Sequence, residues 1–256
     1  MSEPNAAVTP PPADLAAAPG LSQTQRVLCT FTAPSKTFTD LLRSTSWWLP
    51  FVLGLIVTYG FVFAMQSKIG WDKITLSGMK DNQKAMEQLN SLPPDQRAQR
   101  MALSVTITKV ITYCIPLIGL LFTAIFALVI WATINFGFGG KSTFGQIFAV
   151  WMYGSLPLVI RSILASITLF AGVDPDSFNV QNPVGTNIGY YLGQETPKWL
   201  MTLATSLDVF WIWTFVLVGI GTAIVARVKR SSGLIAIFGW WLLLLLIRVG
   251  FSAATS

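Results

Sequence analysis

Residues 143–161, Thr143-FGQIFAVWMYGSLPLVI-Arg161, decide how this chain is read. An apolar helix here carries Gly154, Pro157 and Arg161 well inside it. Pro157 cannot donate to the carbonyl of Tyr153 and its ring crowds that turn, so a kink is expected near Gly154 and Ser155. In hydrocarbon the freed carbonyl needs a partner, and a hydroxyl such as that of Ser155 can supply one. Arg161 lies two turns past Gly154 on nearly the same face, and a guanidinium at that depth points into a bundle rather than at lipid tails.

Composition agrees with a membrane setting. Hydrophobic residues make up 53% of the chain and charged residues 11%, with several long apolar runs, which describes an all-α polytopic membrane protein. The formal charge of +6 sits at the ends of apolar spans, where headgroups and insertion machinery read it, and no basic face with interleaved aromatics appears. Nucleic acid is therefore not an expected partner. Histidine is absent and the two cysteines, Cys29 and Cys114, are far apart, so common zinc ligand sets cannot be built and no metal or cofactor site is expected.

Around the central stretch the sequence supplies four more spans. Expected bounds are 47–66, 104–135, 144–171, 200–226 and 234–250, a five-helix bundle in the lipid bilayer. Residues 1–25, rich in Pro and Ala, read as a disordered tail, and residues 26–256 as the membrane domain. Before the first span, Pro34-Ser35 followed by KTFTDLLRS reads as a short capped helix with Phe38, Leu41 and Leu42 on one side, either interfacial or a linker. Between the first and second spans, Met79 to Leu92 has an amphipathic pattern, and a helix starting after Pro93-Pro94 runs into the membrane. Gly140-Lys141-Ser142 lacks both the earlier glycine and the strand of a phosphate loop, and reads as a flexible turn.

Counting helical rise from one face, Arg161 and Asp208 fall at one level, with Lys109 and Arg248 toward the same face. Lys109, Arg161, Asp208 and Arg248 thus form a candidate intramembrane polar cluster. An unpaired charge there is costly, so Asp208 is expected to pair with Arg161 or, second, with Lys109; the alternative keeps Asp208 at the interface, because 209–226 alone can span. Tyr153, Gly154 and Pro157 mark the kink. Basic residues at Arg26, Lys36, Arg43, Lys141, Arg227, Lys229 and Arg230 predict a cytoplasmic N-terminus and an outside C-terminus.

Several stretches, in order over most of the chain, carry a family likeness. They are Phe31-Thr-Ala-Pro34 with Thr37-Phe38 ahead of Trp48 and Pro50, Gly139-Gly140 before Phe144, and Tyr153-Gly-Ser-Leu-Pro157. Asn182-Pro183, Ser206-Leu-Asp208-Val-Phe210-Trp211-Ile-Trp213, and Gly219 with Gly221 continue the series. In these the chain resembles the Yip-one domain family, five-span proteins first known as partners of Ypt/Rab GTPases, and most closely its bacterial branch. The resemblance implies a five-helix membrane domain with a cytoplasmic N-terminus, in a bacterial inner membrane. The extended N-terminal region of eukaryotic relatives is replaced here by the Pro/Ala tail and a short helix, so Rab-type GTPase binding is not carried over.

For function, the sequence favours a non-enzymatic membrane organiser or scaffold with membrane-protein partners or self-association. A small transporter or channel using the kinked span and buried charges is the second reading. An intramembrane enzyme comes third, because no nucleophile and base stand at motif spacing and no catalytic residue is assigned.

Overall fold

Apolar length with polar punctuation produces a helical protein, 80% helical and without a strand among the described residues. The computed structural model describes residues 19–80, 83–171, 178–193 and 195–254. Five of its helices are long and apolar enough to cross a membrane. Most of the tail expected over residues 1–25 lies outside the described residues.

Helix α1 (Gln23–Thr32) opens on a capping box, in which Gln25 N donates to Ser22 Oγ and Ser22 N to Gln25 Oε1. This cap draws residues 23–25, expected in the tail, into a helix. Pro34 then opens α2 (Pro34–Asp40), and the two form a hairpin ahead of the first span, α3 (Trp48–Lys68). Helices α4 (Trp71–Lys80) and α5 (Gln83–Asn90) follow; the amphipathic pattern expected from 79 to 92 falls largely on α5, and its residues 81 and 82 lie outside the described residues. The second span is α6 (Pro94–Ala132), 39 residues long, begun by the proline pair, running unbroken through Pro116, and closed by a π turn at Thr133–Gly137. The expected span 104–135 covers the C-terminal part of this rod and the first residues of the π turn.

The third span is α7 (Phe144–Gly154) and α8 (Leu156–Phe170), and after a loop with one 3₁₀ turn (Ile188–Tyr191) comes the short α9 (Lys198–Ser206). The last two spans are α10 (Val209–Ala226) and α11 (Arg230–Ala254). Since spans alternate in direction, the α1–α2 hairpin and the turns at 138–143 and 227–229 share one end, called here the N-terminal end. Helices α4, α5 and α9 and the loop 178–193 share the opposite end.

Helix α7 is the centre of the bundle, with Ile147, Phe148, Ala149, Val150, Met152 and Tyr153 buried against α6 and α10. Two corrections concern its surroundings. The stripe expected to face lipid from α2 is covered by protein: Phe38 and Leu41 are fully buried in the same core. Gly221 on α10 makes room, since a Cβ there would lie 2.6 Å from Val150 Cγ1 and 2.8 Å from Phe38 Cδ1. The turn expected to be flexible after α6 is held by Asn135, whose amide donates to Ser142 O at 2.8 Å while its Oδ1 accepts from Ser142 N at 2.9 Å.

Candidate functional site

The kink region is a true break. Helix α7 stops at Gly154, Ser155 takes φ −85° and ψ −1°, and Pro157 enters the first turn of α8, where its missing N–H removes no helical bond. The Ser155 hydroxyl donates to Met152 O at 3.1 Å, one residue before the Tyr153 carbonyl for which it was expected. Gly154 is there for close approach, because a Cβ on it would stand 2.6 Å from Val218 Cγ2 on α10. The break re-aims α8, which packs along α3 and carries Arg161 toward the start of α10.

At that start sits Asp208. The fourth span does not begin near residue 200: α9 ends at Ser206, Leu207 leaves helical geometry, and Asp208 is extended. The physical reason is the side chain itself. Asp208 Oδ1 accepts from Phe210 N at 2.9 Å and Trp211 N at 3.3 Å, the bonds of a helix N-cap, which favour a fresh start over a continued ladder. Its Oδ2 accepts from Arg161 Nε at 3.1 Å and Thr186 Oγ1 at 2.5 Å. Four donors occupy both oxygens, and the carboxylate ties α8, the loop at Thr186 and the start of α10 together.

Asp208 therefore lies at the end of its span and yet is only 1% exposed. The loop 178–193 covers it. Val209 N donates to Thr186 O, Asn187 and Asp208 form an antiparallel bridge, and Asn182 and Asn187 exchange amide hydrogen bonds at 3.2 and 2.7 Å. Asn187 also caps the 3₁₀ turn through Tyr190 N. The two proposed placements, buried in the bundle or at the interface, are both partly met: the depth is that of a span end, the burial that of a core residue.

Beside this pair opens a cleft of about 2040 Å³, bordered by all five spans and by loop 178–193. Arg161, Asp208 and Arg248 all line this cleft, and of the three only Arg161 and Asp208 are bonded to each other. Lys109 does not line it. Its ammonium lies 5.9 Å from the centre of the Trp71 ring, on the outer part of α6, and the second-choice pairing with Asp208 is not made. Toward the N-terminal end α11 is joined to the end of α6 where Trp240 Nε1 donates to Thr133 Oγ1 at 2.9 Å, and Ile130 and Ile237 are buried.

A second polar cluster went unseen in the sequence. Arg26 Nε donates to Asp40 Oδ2 at 2.7 Å, with both side chains under 10% exposed, and Arg26 Nη1 donates to Ser44 O and Ser46 O. Tyr153 completes it: its hydroxyl donates to Gln23 Oε1 and lies 3.3 Å from Ser46 O, which ties the centre of the bundle to the hairpin. The signal available was Asp40, a lone carboxylate set between Phe38 and the pair Leu41-Leu42.

A five-span helical bundle, with a broken central helix and a carboxylate capped under an extramembrane loop, defines an integral membrane protein. The Yip1 domain family model matches residues 28–251, and the chain belongs to that family. Comparison with curated proteins and with solved structures finds no match.

Proposed function

We propose that this protein is a non-enzymatic membrane organiser, acting through lateral contacts with helix and membrane-protein partners or with a second copy. The observation that carries this reading is the stance of α6. It joins α7 at the N-terminal end and α4 at the opposite end, and it leaves Leu117, Leu121, Ile125 and Leu128 exposed on a face turned away from the cleft. Such a face is available to another helix packing in the bilayer plane. The gathering of Lys36, Arg43, Lys141, Arg227, Lys229 and Arg230 at the N-terminal end supports placing that end in the cytoplasm, in a bacterial inner membrane.

Photo-crosslinking residues at 121 and 125 test the contact, with position 246 on the exposed side of α11 as the control. Discrete protein adducts at 121 and 125 but not at 246 are expected, and equal labelling at all three removes the proposal. Transport is the second reading, favoured by the charged wall of the cleft. The hydrogen bond that joins Trp240 to Thr133 weighs against a through path, and solute flux in proteoliposomes without a partner would favour transport.

A further inference from the structure

We infer that the cleft between α6 and α11 binds an anionic phospholipid, with its phosphate at the end opposite the N-terminal hairpin. Charge is the first ground. Lys198 and Arg248 line the cleft and are exposed, and the ion pairs among the described residues join Arg26 to Asp40 and Arg161 to Asp208, leaving these two cations without a carboxylate. Arg161 is bonded through Nε alone among the described residues, so its terminal nitrogens remain as donors, and Asp208 behind it is saturated. The mouth is therefore cationic, and guanidinium groups suit the geometry of phosphate oxygens.

Depth is the second ground. Arg248 is 18 residues into α11 counted from Arg230, about 27 Å along a helix, which sets it at the edge of a hydrocarbon core of about 30 Å. Lipid phosphates lie at that level. The third ground is the wall below it, lined by Phe122 and Phe126 on α6 and by Trp240 and Leu244 on α11, an apolar surface for an acyl chain. A volume of about 2040 Å³ exceeds the roughly 300–1,000 Å³ of small-ligand pockets and suits a two-tailed amphiphile.

The test uses the purified full-length protein in mild detergent and native mass spectrometry. It is titrated with phosphatidylglycerol, with phosphatidylcholine of the same acyl chains, or with inorganic phosphate. Phosphatidylglycerol is expected to be retained in preference to phosphatidylcholine, and inorganic phosphate not to be retained. The Lys198→Gln and Arg248→Gln substitutions should each weaken phosphatidylglycerol binding about fivefold, while Lys141→Gln at the other end leaves it unchanged. Both target side chains are exposed, so the variants retain the core.

A phosphatidylglycerol with a photoactivatable acyl chain should label Phe122, Phe126, Trp240 and Leu244, and not Ile125 on the outer face of α6. Equal retention of the two lipids, a free-phosphate adduct that displaces phosphatidylglycerol, unchanged binding by the double variant, or protein rather than lipid adducts in the cleft would each overturn the inference. Partner capture at the outer face of α6 is read separately, so the organiser role and lipid binding can fail independently.

Discussion

Arg161 on α8 and Asp208 at the head of α10 meet through a single Nε–Oδ2 contact at 3.1 Å, and the arginine keeps 22% of its side chain exposed while the carboxylate keeps 1%. The burden of the pair is thus unequal. Removing the arginine strands a buried charge, whereas removing the carboxylate leaves a cation that can still reach the cleft.

In a double-mutant cycle on thermal stability in bicelles, Arg161→Gln and Asp208→Asn should each destabilise. Together they should cost about 1 kcal/mol less than their sum, or less still. Asp208→Ala should cost about 1 kcal/mol more than Asp208→Asn, since asparagine retains an oxygen for the N-cap and alanine does not. Additive single effects would mean that the contact contributes nothing to stability.

The approach of α7 to α10 at Gly154 gives a test of packing. Gly154→Ala places a methyl 2.6 Å from Val218 Cγ2 and should cost about 1–3 kcal/mol by overpacking. Val218→Ala removes the opposing methyl groups, so the double variant should recover part of that loss. Equal stability of Gly154→Ala and the parent would show that the helices can separate there at no cost.

At the hairpin, Asp40→Ala leaves Arg26 buried without its carboxylate and should cost about 3 kcal/mol. Limited trypsin digestion reads this directly. Cleavage after Lys36 should be slow in the parent, where α2 is packed into the core, and fast in the variant. A label at position 38 should be immobilised, while one at 28, where Leu28 is 61% exposed, should move freely.

Topology is checked by cysteine accessibility in a background without Cys29 and Cys114. Cysteines at 141 and 195 should label from opposite faces of the membrane, the first from the cytoplasm. Labelling of both from one side would contradict the alternation of the spans.

Much of the bundle was legible because apolar length is a strong signal: Pro157 with Gly154 announced the break, and Pro93-Pro94 the start of the long helix. Asp208 was harder. An aspartate between apolar residues 199–207 and 209–226 reads equally as an intramembrane charge or as a cap, since its bonds to Phe210 N and Trp211 N are matters of backbone geometry. Rise per residue placed Arg161 at its level but could not show that Lys109 turns to Trp71 instead. The amphipathic stripe of α2 was visible, but not its cover, because Phe38 meets a glycine 183 positions further along the chain, Gly221. Arg26 and Asp40 lie on separate helices of the hairpin, and only its closure brings them together.

The length of α6 has a mechanical meaning. Its 39 residues extend about 58 Å, nearly twice the hydrocarbon thickness, so one stiff rod forms a wall inside the bilayer and a mast beyond it. At the aqueous end the rod is strapped to its neighbour, Arg97 donating to the Leu89 and Asn90 carbonyls that close α5. Wall and mast share one unbroken helical backbone, so the aqueous part of α6 cannot turn about the helix axis without turning the wall that carries Phe122 and Phe126.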